Sequence, residues 1–254
     1  MWKSRLLVAA AVSGVMGIVH VGCVGDPALS TAQPSAGDSG TDAVVTPKED
    51  GEAPVTDSGA PEVSDAAPLP RRFFAFVTVG KVDGAFALTG GGKPWDAADA
   101  ICAAEASGAG KTGTFHAWLS YTNGAGTLFN ASTRIADGPY YLYAGEDGSA
   151  PALIAESKAK LLANGPLVPI GRTASGSPVD FDENTSVAWV WTATGMNGQA
   201  SGGLDCNGWT DAAATQAGGT GNARVIPSPL PSDWTSLGGR PCNLKRRFYC
   251  FEVP

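Results

Sequence analysis

The chain of 254 residues is long enough for one mid-sized domain with appendages, and only 16% of it is charged, well under the ~25% of an ordinary globular protein. Its net charge of −7 is unevenly placed: residues 24–70 hold nine carboxylates against one lysine, residues 1–23 carry Lys3 and Arg5, and residues 71–254 come out at −1. A nearly neutral main region gives no electrostatic reason to expect nucleic acid as a partner.

Lys3 and Arg5 precede an apolar stretch from Leu6 to Val19. A charged start and a short apolar core predict a signal peptide over 1–22, since a membrane span needs ~20 apolar residues. Val21-Gly22-Cys23 then resembles the lipobox of bacterial lipoproteins, with His20 where that family usually has Leu. The resemblance implies cleavage before Cys23, diacylation of its thiol and often a further acyl chain on the new amine. Two or three chains anchor stably where one is marginal. The membrane is therefore an expected partner through Cys23. The expected location is the cell envelope, at the outer membrane or cell surface, because Val24 stands where an inner-membrane retention signal has Asp.

From Cys23 to Pro70 the chain is Ala, Pro, Ser, Thr, Gly and Asp, without aromatic residues or apolar periodicity. Such a segment cannot bury enough surface to offset its ordering entropy, so 23–70 is expected to be a disordered acidic tether reaching about 40 Å. Near-repeats such as Asp38-Ser39-Gly40-Thr41-Asp42 and Thr56-Asp57-Ser58-Gly59 fit low complexity. Gly37-Asp38-Ser39-Gly40 copies a fragment of a serine-protease signature, but after cleavage the chain keeps one histidine, His116, so it reads as a chance match.

Aromatic residues begin abruptly at Phe73, and 71–254 is expected to be the folded domain. Phe73 to Val79 predicts a strand. Pro94 suits the first position of a helix, after which Trp95, Ala98, Ile101, Cys102 and Ala106 follow helical spacing until Gly108 and Gly110. Pro151 is expected to open a second helix that buries Leu153, Ile154, Leu161 and Leu162 and ends at Gly165. Beyond Asn184 the period becomes two, with Val187, Trp189 and Trp191 facing one way and Ala188, Val190 and Thr192 the other. Phe248 to Val253 predicts a closing strand. Two helices among short strands and long loops make an α+β domain.

Cys102, Cys206, Cys242 and Cys250 form an even set, which in an exported protein predicts two disulfides with three pairings open. No Cys-x-x-Cys occurs, and one histidine is too few for a usual zinc cluster. Four segments then carry a resemblance: Gly113-Thr-Phe-His-Ala-Trp-Leu-Ser120, Val190-Trp-Thr-Ala-Thr-Gly-Met-Asn-Gly198, Asp205-Cys-Asn-Gly-Trp209 and Cys242-Asn-Leu-Lys-Arg-Arg-Phe-Tyr-Cys-Phe-Glu252. Together, and in this order across Phe73–Glu252, they resemble endostatin and a bacterial lipoprotein domain family of unknown function with the same C-type-lectin-like fold. The resemblance implies a nested pairing, Cys102–Cys250 around Cys206–Cys242. It also implies that the first and last strands are neighbours.

The calcium-dependent lectins of that fold use Glu-Pro-Asn or Gln-Pro-Asp and Trp-Asn-Asp motifs, which are absent here. The densest carboxylate run, Asp180, Asp182 and Glu183, is a candidate for calcium, although without EF-hand spacing it reads as a solvated acidic turn. Endostatin's zinc histidines have no counterpart in this sequence. Arg71 and Arg72 precede the first strand and Lys245, Arg246 and Arg247 precede the last. If those strands pair, the five cations are a candidate patch for an anionic ligand, to be weighed against charge that protects a sheet edge. Gly110-Lys111-Thr112 lacks the rest of a phosphate-binding loop and reads as a helix end. Tyr140, Tyr141, Tyr143, Trp189, Trp191, Trp209 and Trp234 are expected in packing rather than on a sugar platform. His116 is expected to be structural, having no nucleophile at a recognisable spacing.

The function expected from these readings is a non-catalytic binding or adhesion module of the cell envelope, with an unidentified glycan or protein as ligand and no cofactor beyond the calcium candidate. The alternatives are a structural envelope protein that engages another protein without sugar affinity, and a carbohydrate-active hydrolase. The hydrolase needs Asp182 in one cleft with Asp205 or Asp211.

Overall fold

The computed structural model describes residues 71–89, 93–145, 148–182, 185, 187–224 and 231–254. All lie in one compact unit, Val63–Pro254. The signal peptide, Cys23, the tether and Glu183 lie outside the described residues.

The elements follow in order as β1 (Phe73–Val77), α1 (Phe86–Thr89), α2 (Pro94–Gly108), β2 (Thr114–Ala117), β3 (Tyr121–Thr122), β4 (Leu128–Phe129), β5 (Tyr140–Tyr141), β6 (Leu153–Ala155), α3 (Lys158–Asn164), β7 (Trp189–Trp191), β8 (Ala217–Asn222), β9 (Gly238–Pro241) and β10 (Tyr249–Val253). This is a mixed α+β fold with few helices, many short strands and two disulfides, Cys102–Cys250 and Cys206–Cys242. A five-stranded sheet runs β2-β10-β1-β5-β6, a three-stranded one β7-β8-β9, and β3-β4 is a separate hairpin. The chain's first and last strands pair antiparallel, with Ala75 opposite Phe251.

The central strands explain their own sequences. On β1, Phe73, Ala75 and Val77 pack into one core with Trp118, Tyr140, Trp234 and Phe251, while Phe76 enters a second core with Cys102, Phe115, Phe248 and Cys250. Both faces are covered, so the strand reads as an unbroken apolar run rather than an alternating one. The same holds for β7, where Trp189, Val190 and Trp191 are all buried. The period of two seen there does not separate core from solvent, and the strand is shorter than the 187–192 pattern implied.

Pro94 does open α2, which buries Ala98, Cys102 and Ala106. The helix expected from Pro151 is a correction. Leu153–Ala155 instead forms β6, paired with Tyr140–Tyr141. The helix starts only at Lys158, where Ser157 accepts the Lys160 N–H at 3.2 Å and serves as N-cap. Open sheet edge at β5 outcompetes helix propensity over 153–155, and the Ser157 cap sets the true start. Gly165 ends the helix with φ 73°, as expected.

Candidate functional site

The acidic run is taken apart by the fold. Asp180 is exposed, whereas Asp182 is only 6% exposed and turned inward. Its Oδ2 accepts the Trp189 N–H at 2.7 Å. Its Oδ1 faces Lys81, hydrogen-bonded to it, with Arg247 Nη1 at 3.6 Å and Arg246 Nη1 at 4.0 Å. A carboxylate surrounded by three cations is an anchor for those cations, so the structure gives Asp182 a partner set other than calcium. Among the described residues, no group of three or more His, Cys, Asp or Glu side chains is placed to hold a metal ion.

The five-cation patch is corrected as well. Antiparallel pairing places Arg71 and Arg72 beside the C-terminal end of β10, and Lys245–Arg247 beside the opposite end of β1. The length of β1, roughly 16 Å at ~3.3 Å per residue, separates the two groups. Arg71 pairs with Glu252 at 3.3 Å and lies over Phe73, while Arg72 lies over Tyr141. Edge protection fails too, because β1 and β10 are interior strands.

What replaces the patch is a cluster that sequence reasoning did not assemble. Backbone bonds tie Arg246 to Val82 on one side (2.8 and 2.9 Å) and Arg247 to Trp191 on the other (2.9 Å), so this short segment stitches the two sheets together. That position delivers Arg246 and Arg247 to Asp182. Arg240 on β9 sets its guanidinium carbon 4.1 Å from the centre of the Trp189 ring, and that of Arg246 lies 6.0 Å from the same centre. Burial holds Arg246 below the ordinary arginine pKa. Asp182 opposes the shift, and Arg240 and Arg247 add to it.

A second site is a cleft of about 720 Å³ between the β3–β4 hairpin and the segment Gly202–Thr210, with Pro94 at its side. Its distinctive wall is the single turn Cys206–Trp209. All four residues have positive φ: 50° at Cys206, 56° at Asn207, 65° at Gly208 and 61° at Trp209. Glycine adopts this conformation freely and Asn tolerates it, but a bulky L-residue loses ~1–2 kcal/mol. Several contacts hold the turn. The disulfide fixes Cys206 to Cys242. Asp205 accepts the Gly208 N–H at 3.2 Å and the Thr122 N–H at 2.6 Å, tying the turn to the hairpin. Trp209 is fully buried, donates to Ser120 O at 3.0 Å and packs against Phe86 and Trp191. Gly84 leaves the room required, since a Cβ there would meet Cys206 Sγ at 2.5 Å.

Inside the cleft the exposed groups are the Asn207 side chain and Leu128, with Thr210 half-buried and donating to Asn207 O at 2.7 Å. The Tyr121 ring stacks on Phe129 at 4.6 Å, and Trp95 meets both rings edge-on. Burial raises the Tyr121 phenol above its ordinary pKa, and Arg134 partly opposes the shift. Asp205 lines this cleft, whereas Asp182 and Asp211 do not. The Asp-Cys-Asn-Gly-Trp run was legible as a neighbourhood of interest, and the adjacent Asn and Gly were its one local sign of left-handed backbone.

His116 sits on β2, half-buried, with Nδ1 3.0 Å from Arg134 O and Nε2 4.0 Å from Asp99. Asp99 in turn holds Arg134 through two hydrogen bonds and accepts the Ala117 N–H at 2.8 Å. Trp118, Trp189, Trp191, Trp209, Trp234 and Tyr140 are buried and form no surface platform.

No family model matches the chain, and no curated protein matches it. The functional reading therefore rests on geometry and sequence.

Proposed function

We propose that this chain is an exported lipoprotein, anchored through Cys23 and carrying a non-catalytic, C-type-lectin-like binding module on an acidic tether. The fold assignment is supported by adjoining first and last strands and by the nested disulfides. The observation that carries the binding function is the cleft beside Cys206–Trp209. Within this left-handed run Cys206 and Trp209 cost stability, and the surrounding structure over-determines them with a disulfide, a double acceptor and a buried Trp. Strain held that firmly at the wall of an open cleft is what a pre-organised ligand site requires.

The cleft offers an amide, a hydroxyl, backbone carbonyls and the apolar surface of Leu128 and Tyr121, with no free charge. That mixture suits an uncharged polyhydroxylated ligand, a glycan of the envelope. Both Asp205 oxygens are committed to backbone N–H groups, which favours recognition over acid–base chemistry.

The test is a glycan array probed with the full chain, disulfides intact, with calcium and again with chelator. Retention of defined glycans in chelator, lost in Asn207→Ala, is the expected result. A blank array under both conditions would overturn the glycan reading and leave a protein-engaging envelope role. The anchor is tested separately: Cys23→Ser is expected to abolish palmitate incorporation and move the protein out of the membrane fraction.

A further inference from the structure

The face around Trp189 carries more positive charge than it neutralises. Lys81, Arg246 and Arg247 share the single carboxylate of Asp182, and Arg240 and Lys245 have no salt bridge among the described residues. Among the described residues, Lys81, Arg246 and Arg247 thus share one carboxylate, and Arg240 joins them over the Trp189 ring. Crowding of like charge shows at Arg246, whose protonation is weakened by Arg240 and Arg247 as well as by burial.

A second observation points the same way. Arg247 is only 6% exposed, yet its buried Nε and Nη1 have no hydrogen-bond partner, and neither has the buried Nε of Arg246. Buried donors are normally satisfied, and these, with Asp182 no nearer than 3.6 Å to Arg247 Nη1, show that one carboxylate does not saturate the cluster. The accessible rim is suited to receive it. Arg240 is exposed, with its guanidinium carbon 4.1 Å from the centre of the Trp189 ring, and has no salt bridge among the described residues. The Lys81 side chain is 32% exposed. Guanidinium forks match tetrahedral oxyanions geometrically, and a lysine adds a point charge.

We propose that this cluster binds a phosphate or sulfate group. Arg240, Lys81 and the exposed part of Arg246 contact the oxyanion, and Arg247 and Asp182 act as positioning residues. Asp182 prevents the cations from scattering, while being too few in charge to satisfy them. The site lies on β7, β9 and the 245–247 segment and does not depend on the cleft, so a blank glycan array leaves it standing. The shared chemistry has two sources, a lipid headgroup and a soluble phosphorylated or sulfated group.

The experiment uses the full chain with disulfides intact, carrying Cys23→Ser so that no acyl chain contributes. Inorganic phosphate and sulfate are titrated against chloride at constant low ionic strength, because screening would mask an exposed cationic site. The readouts are calorimetry and thermal shift. Sedimentation with phosphatidylglycerol vesicles, and with phosphatidylcholine vesicles as control, forms the second arm. Saturable phosphate binding is expected, weakened at least tenfold by Arg240→Gln and by Lys81→Gln and unchanged in Arg71→Gln at the far end of β1. Arg240 is exposed and outside the Asp182 ion pairs, so loss of binding in Arg240→Gln with an unaltered melting temperature separates recognition from folding. Vesicle binding that Arg240→Gln abolishes assigns the headgroup as source; phosphate binding without vesicle binding assigns a soluble one. Phosphate acting no differently from chloride, or Arg71→Gln weakening binding as much as Arg240→Gln, would overturn the proposal.

Discussion

Replacing Asp182 by Ala is the sharpest test of how the two sheets are joined. The substitution strands Arg247, whose side chain is 7% exposed, beside Lys81 and Arg246 with no ion-pair partner for it among the described residues. It also leaves the buried Trp189 N–H without its 2.7 Å acceptor. Breaking a buried ion pair from one side costs roughly 3–5 kcal/mol, and an orphaned buried N–H about 1–3 kcal/mol. The two overlap, because water entering the gap relieves both, and Lys81 can turn outward. The expected loss is therefore about 4 kcal/mol, a fall in melting temperature of roughly 8–16 °C for a domain of this size. Asp182→Asn keeps an acceptor for Trp189 and should lose about half as much. Urea unfolding with the disulfides intact measures both. Adding Arg247→Met to Asp182→Ala should recover part of the loss, since the stranded charge goes with it. A cost below about 1 kcal/mol for Asp182→Ala, or a double variant no more stable than the single one, would refute the argument that this carboxylate holds the cluster.

Other consequences are as direct. Gly221→Ala places a Cβ 1.9 Å from Trp234 O, whereas Gly124→Ala meets nothing within 4 Å; the first should prevent accumulation of folded protein and the second should leave the melting temperature unchanged. Chain-entropy arguments give about 5 kcal/mol for Cys102–Cys250, which spans 148 residues, and about 4 kcal/mol for Cys206–Cys242, which spans 36. The Cys206→Ser/Cys242→Ser pair should also release the left-handed turn, so its ligand affinity falls further than its stability predicts. Burial holds the phenols of Tyr140, Tyr143 and Tyr249 above their ordinary pKa. The folded state therefore keeps protons that the unfolded chain releases above pH ~10. Stability should be intact below that pH and fall as pH rises beyond it. Absorbance at the phenolate band should show these tyrosines ionising together with unfolding; separate ionisation near pH 10 in the folded protein would contradict it.

The parts of the fold legible in the sequence were those where local and global preferences agree. Pro94 marked a helix start, Gly165 a helix end, and the runs Phe73 to Val79 and Phe248 to Val253 two strands, which the structure shortens to Phe73–Val77 and Tyr249–Val253. Leu153–Ala155 misled because a free strand edge at Tyr140–Tyr141, invisible in the sequence, decided its conformation. The cation patch misled for a related reason: adjacency to paired strands was legible, but the sense of pairing was not, and antiparallel register sends Arg71 and Lys245 to opposite ends. Lys81 and Arg240 lie in loop and edge-strand segments with no motif around them, so only the fold brings them to Trp189. The turn at Cys206–Trp209 left one trace, the Asn207-Gly208 pair, and no trace of the cleft it walls.

The most direct test of the binding account is an amide NMR titration of the full oxidised chain with the best glycan from the array. Shifts confined to Tyr121–Leu128 and Gly202–Thr210, absent in Asn207→Ala, are the predicted result. Shifts scattered over the domain, or centred elsewhere and unaffected by Asn207→Ala, would contradict the claim that this cleft is the binding site.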